Sequence, residues 1–260
     1  MNWNFINTGE RNGKFNMELD FYLAKNFTTG NPLLRIYKWK PYCISLGANQ
    51  SFNEILLDKA KADGIDIIKR PTGGRAILHS EELTYSVIYP VEPTTFAKDI
   101  YKEINNALRL GLIDFDNSLS DVELEHNQPD FKEFYKSEIS SVCFAVSAKS
   151  EINFSNKKLV GSAQRKIGNV ILQHGSILCG GYHTKIVDYL NYDEKQKQNM
   201  LDEISKTTID LKSALNYNID YSKLTHSILN GFEKYFDSKF QEISNYELVN
   251  SNIPESLLVS

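Results

Sequence analysis

Apolar and polar positions recur along the chain with two periods, close to two and close to 3.6 residues. Short runs rich in β-formers predict strands at Trp3 to Asn7, Leu33 to Trp39 and Tyr42 to Leu46. Further strands are predicted at Ile65 to Ile68 and Leu83 to Tyr89, the latter stopped by Pro90. Three more fall at Glu151 to Phe154, Lys158 to Lys166 and Asn169 to Leu178, with Ile167-Gly168-Asn169 reading as a hairpin turn between the last two. Helical spacing places Met17, Phe21 and Ala24 on one face of a helix over Lys14 to Thr28. Asn53 reads as the cap of a helix over Glu54 to Asp63 that Gly64 stops. Thr94 or Thr95 reads as the cap of a helix over Phe96 to Leu110, whose buried face holds Ile100, Ile104, Ala107 and Leu108. Polar helices follow over Asp193 to Ile204 and Tyr221 to Phe236, the second capped by Asp220 with Leu224, Ile228 and Phe232 as its stripe. The acidic, weakly patterned stretch Asp116 to Glu138 reads as a solvated connection.

Composition narrows the class. The chain has 260 residues, 41% hydrophobic content and a formal net charge of -4. That is enough to bury a proper core, and it argues against a general nucleic-acid binder. No run approaches the length of a membrane span, and the N-terminus lacks a basic region followed by an apolar core, so neither membrane span nor signal peptide is expected. Cys43, Cys143 and Cys179 are few and unpaired in spacing, which fits a reducing cytoplasm with no disulfide framework and no metal site. One domain over 1–260 is expected, with a core of about 17–190 and a helical segment of about 191–260.

Two stretches carry candidate chemistry. In the first, Arg70-Pro71-Thr72-Gly73-Gly74-Arg75-Ala76-Ile77-Leu78-His79 leads into Glu82-Leu83-Thr84-Tyr85-Ser86. Paired glycines permit positive φ and close approach of a ligand to the main chain, although they also occur in plain connections. In the second, Cys143-Phe144 precedes Lys158-Leu159-Val160-Gly161-Ser162-Ala163-Gln164 and Gln173-His174-Gly175-Ser176-Ile177-Leu178. A cysteine before a phenylalanine reads equally as a small buried hydrophobe. Lys157 and Lys158 are adjacent, so strand alternation turns only one of them inward. Gly161-Ser162-Ala163 and His174-Gly175-Ser176 combine small side chains with backbone amides able to hold a carbonyl oxygen. His79 and His174 read either as hydrogen-bonded structural residues or as part of a site.

Both stretches, together with Ser45-Leu46-Gly47-Ala48-Asn49-Gln50, resemble the lipoate/biotin protein ligase superfamily, and within it the LipM-type octanoyltransferases. The resemblance runs from about Met17 to Leu178. Ala145-Val146-Ser147-Ala148-Lys149 departs from the aromatic and acidic residues common after the Cys-Phe pair. It implies an α/β fold of the α+β type, with a mixed, largely antiparallel sheet flanked by helices. It implies Cys143 as nucleophile and Lys158 as its catalytic partner, without metal or cofactor. Substrate binding is implied for Arg70, Thr72, Gly73, Gly74, His79, Gly161, Ser162, Ala163, Gln173, His174 and Gly175. The implied donor is octanoyl acyl carrier protein; the implied acceptors are lipoyl domains or the glycine cleavage H protein. Alternatives are an amidotransferase between lipoyl proteins, an ATP-dependent lipoate ligase, and a non-catalytic binding module. Too few residues follow Phe236 for the second domain of the larger ligases, and Cys143 also argues against that reading.

Overall fold

The computed structural model describes residues 2–26, 30–125 and 151–243. Eleven strands are seen among them: β1 (Trp3–Arg11), β2 (Leu33–Trp39), β3 (Cys43–Leu46), β4 (Asp66–Lys69), β5 (Ile77–His79), β6 (Glu82–Pro90), β7 (Glu123–Leu124), β8 (Ile152–Phe154), β9 (Lys157–Ile167), β10 (Val170–Leu178) and β11 (Phe240–Glu242). Eight form one sheet in the order β11-β1-β2-β6-β10-β9-β8-β7, and β4-β3-β5 form a smaller one. In the large sheet β1 runs parallel to β2 and β11, while every other pairing is antiparallel. The mixed, largely antiparallel sheet is as expected.

Helices α1 (Gly13–Asn26), α2 (Leu57–Ala62), α3 (Ala97–Phe115), α4 (Glu194–Thr207), α5 (Leu211–Leu215) and α6 (Tyr221–Phe236) surround the sheets. α3 and α6 cover one face of the large sheet, burying Ile104, Leu108, Leu224, Ile228 and Phe232 against Tyr85, Ile171 and Ile177. Their backbones meet at Gly111 and Gly231, where a Cβ on Gly231 would collide with Gly111 and the Ala107 carbonyl. α1 lies on the other face, packing Leu19 and Leu23 on Ile6, Leu33, Ile88 and Leu172. The small sheet has its own core with a 3-10 segment, Gly181–Tyr189, and α4.

Several boundaries differ from the sequence reading, each through a distant partner. Met17 and Ala24 of α1 are buried as read, but Phe21 is half-exposed, and the buried face also holds Asn16 and Asp20, which Arg35 on β2 engages. Asn53 caps nothing: Ser51 caps a 3-10 turn over Phe52–Glu54, and α2 starts only at Leu57. The interruption is Ile55, drawn into a β-bridge with Leu190. Neither Thr94 nor Thr95 caps α3; Phe96 stands at its N-cap with no side-chain hydrogen bond, and the helix runs on to Phe115. The start of the acidic connection is not solvated, because Leu119 and Val122 are fully buried and β7 joins the sheet edge. Asp220 caps α6 as read, accepting from the Ser222 and Lys223 amides.

Candidate active site

Where α1, the large sheet and the small sheet converge, a cavity opens. Met17 from α1, Tyr37 and Trp39 from β2, and Ile77 from β5 make an apolar floor. Lys158, Gly161, Ser162 and Ala163 of β9 line it too, with His174 and Gly175 of β10. Strand neighbours bring these together: Gly175 pairs with Ser162, and Ser176 with Gly161. Gly175 has to be glycine here, since a Cβ would come within 2.5 Å of the Gly161 carbonyl and 2.7 Å of the Ser162 Oγ.

Of the two adjacent lysines only Lys158 turns inward, as alternation requires; it is 2% exposed and its Nζ lies 2.8 Å from Glu151 Oε2. Lys157 turns out and donates to the Ser205 carbonyl. Glu151 is the site residue that sequence reasoning left without a role. Its signal was being the single acid among the basic residues around Lys158.

Two buried polar chains hold the wall. In one, Arg35 donates to Asp20 at 2.6 Å and is also fixed by Asn16 and Thr8. Asp20 faces His174 Nδ1 at 3.3 Å, and His174 Nε2 meets the Thr72 hydroxyl at 2.6 Å. Burial alone would raise the Asp20 carboxyl, but Arg35, His174 and Ser86 outweigh it and hold it below its ordinary value. Burial pushes the His174 imidazole below its ordinary value, and Asp20 offsets only part of this. In the other chain, Glu82 accepts from Thr84 and Ser176 and faces His79 Nδ1 at 2.8 Å. His79 stacks on Trp39 with ring centroids 4.0 Å apart and reaches Ser45 with Nε2. Burial would raise Glu82 as well, yet His79, Ser176 and Thr84 together hold it low. Arg70 closes this chain: it donates to Ser45 and to the carbonyls of Gly73 and Arg75, tying the glycine turn to β3.

The predicted binding residues therefore divide. Arg70, His79, Gly161, Ser162, Ala163, His174 and Gly175 line the cavity. Thr72 is wired to His174 behind the wall, and Gly74 packs its carbonyl on Gly47. Gly73 is exposed and has nothing around its Cβ position. Gln173 is brought elsewhere, to the α3 face of β10, where it donates to Tyr85 and Asn105. One residue of strand alternation separates it from His174. The amides of His174, Gly175 and Ser176 are not available to a substrate either, because β10 lies between β6 and β9 along its whole length and both ladders engage it. Cys43 and Cys179 are buried and burial raises both thiols well above their ordinary value, so neither is a ready thiolate. Cys143 lies outside the described residues.

The family model of the lipoyl protein ligase A/B catalytic domain matches residues 12–233. The chain belongs to this lipoyl ligase A/B catalytic-domain family. Octanoyltransferase LipM of Staphylococcus aureus is 32% identical over 263 residues, covering 97% of this chain and 92% of that one. Octanoyltransferase LipM of Clostridioides difficile is 32% identical over 254 residues, covering 94% and 92%. Among solved structures, lipoate-protein ligase A bound with ATP superposes with a TM-score of 0.73 at 17% identity, covering 100% of this chain and 96% of that one. A bi-partite lipoate protein ligase from Thermoplasma acidophilum gives 0.72 at 18% identity, with 100% and 93% covered. These likenesses establish the lipoyl ligase A/B catalytic fold.

Proposed function

We propose that this member of the family is an octanoyltransferase that moves an octanoyl group from acyl carrier protein to a lysine of a lipoyl domain or of the glycine cleavage H protein. What carries the reading is a cavity lined by Met17, Tyr37, Trp39 and Ile77 together with the buried Lys158. Its support from sequence is the pair of octanoyltransferase relatives spanning nearly the whole chain. Burying most of an octanoyl chain on Met17, Tyr37, Trp39 and Ile77 stabilises the complex by ~4–6 kcal/mol at about 0.8 kcal/mol per methylene.

In the proposed mechanism the Cys143 thiolate attacks the donor thioester, the carbonyl electron pair moves to oxygen, and its return expels the carrier thiolate. The amine of the acceptor lysine then attacks the Cys143 thioester. Cys143 leaves as a thiolate, and the proton lost by the amine restores the thiol. Lys158 supplies positive charge next to the developing thiolate and oxyanion. Glu151 holds its ammonium in place and moderates that charge.

A thioester is already activated, so transfer should need neither ATP nor Mg²⁺. Incubation with octanoyl carrier protein alone is expected to add one octanoyl group to Cys143, seen by intact mass and removed by hydroxylamine. Modification of a lipoyl domain from free lipoate and ATP, persisting in Cys143→Ala, would establish a ligase instead.

A further inference from the structure

Charge is unevenly spread along this chain. Acids outnumber Lys and Arg overall, 33 to 29. Yet between Asp66 and Glu81 there is no acid, while Lys69, Arg70 and Arg75 fall there. Between Glu151 and Asp188 there is again none, and Lys157, Lys158, Arg165 and Lys166 fall there. The fold brings these two acid-free segments together at the rim of the cavity. On β9 the residues facing α1 pass from buried Gly161 through half-buried Ala163 to exposed Arg165, whose cross-strand partner Leu172 packs under α1. Along the chain leading into β5, Ile77 is buried, Arg75 half-buried and Gly73 exposed. Both walls come to the surface at one place, and Arg165 joins them there, donating from Nη1 to the Pro71 carbonyl at 2.7 Å. A guanidinium has further donors to spare after that bond. Lys69, two residues before Pro71, is exposed and lies 5.2 Å from the ring centre of the exposed Phe52. Among the described residues neither Lys69 nor Arg165 is in an ion pair. Glu54, two residues on from Phe52, is turned to Gln50 Nε2 and the Ser51 amide. Exposed cations beside an exposed aromatic ring make a face rather than a pocket, which suits a protein surface better than a small anion. A long polyanion would also meet the acids that make the whole chain negative, whereas a small acidic protein need cover only this rim.

We propose that Lys69, Arg165 and Phe52, with the half-buried Arg75 adding to the same field, form the docking surface for an acidic face of the acyl carrier protein, so that the arm bearing the acyl group reaches the cavity beside the Pro71–Arg75 turn. The identity of the partner rests on the octanoyl-transfer reading; the surface itself consists of described residues alone.

The test measures association of the full chain with carrier protein whose arm bears no acyl group, by surface plasmon resonance across a salt series, so that no transfer takes place. The double variant Lys69→Glu/Arg165→Glu is expected to lower the on-rate roughly 10-fold at low salt and to flatten its salt dependence. Arg165→Gln, which keeps an N–H for the Pro71 carbonyl, and Lys69→Gln should each give a smaller fall. Lys234→Glu, on α6 behind the opposite face of the large sheet, should match the wild type. A folded double variant with the wild-type on-rate and salt dependence overturns the surface; if it does not fold, the same result in both Gln variants does so. An equal fall in Lys234→Glu would reduce the effect to net charge and overturn it too. Anionic lipid vesicles or an oligonucleotide bound through these residues more tightly than the carrier protein would overturn the partner. A wild-type protein that neither binds the carrier protein nor takes up its octanoyl group removes the octanoyl-transfer reading. Octanoyl uptake that continues at an unchanged rate in the double variant removes this inference alone.

Discussion

Lys158 and Glu151 form an ion pair whose side chains are 1% and 3% exposed. Taking either charge out of water alone is costly, and the opposite charge at 2.8 Å is what makes the pair tolerable. Glu151→Ala should therefore destabilise the protein by roughly 3–5 kcal/mol. Adding Lys158→Met to it should recover part of that stability while acylation of Cys143 stays lost. Urea midpoints of the two single variants and the double variant measure this; additive losses would deny the coupling. Strand alternation required that only one of Lys157 and Lys158 turn inward, and the family resemblance chose Lys158. The role of Glu151 was not legible, since an acid among lysines reads as a surface counter-charge until the fold buries it. The resemblance implied substrate binding for Gln173, which sits in a motif beside His174, but the strand points it the other way, to Tyr85 and Asn105.

At the level of elements, the paired glycines are unequal. Gly74 has φ of +94°, a region that side chains other than glycine rarely adopt, and its carbonyl is packed on Gly47. Gly73 has open space at its Cβ position. Gly73→Ala is expected to leave the thermal midpoint within about a degree, in line with surface changes of ±0.5 kcal/mol. Gly74→Ala and Gly47→Ala should each cost roughly 1–3 kcal/mol. Thermal melts of the three variants decide, and a Gly73→Ala variant as unstable as Gly74→Ala would contradict the geometry. Much of the element layout was legible locally: β2 and α6 begin and end where their patterns do, and the β9–β10 turn falls at Gly168. The misread elements are those in which a distant chain segment intervenes. Leu190 holds Ile55 extended, and Arg35 makes Asn16 and Asp20 buried residues of α1.

For the whole molecule, buried titratable groups set the response to acid. Asp20 and Glu82 are held below their ordinary values, and burial holds His174 and His183 below theirs. In each case the unfolded chain takes up protons at a higher pH than the folded one, so stability falls as pH falls. The histidines begin this below about pH 6.5 and the carboxylates add to it below about pH 4.3, the values for unperturbed groups. The thermal midpoint should be flat between pH 7 and about pH 8, decline between pH 6.5 and 5, and drop steeply below pH 4.5. His174→Gln should shrink the first decline; a midpoint that rises from pH 7 to 5 would refute this account. The sequence by itself determined the periodic elements, that one of two adjacent lysines turns inward, and the motifs that carry the family resemblance, because these depend on residues close together in the chain. Only the tertiary structure decided which glycine bears strain, which acid meets Lys158, and that Met17, Tyr37, Trp39 and Ile77 line one cavity. Those facts depend on contacts between residues far apart in sequence, where no local pattern records which side chains will meet.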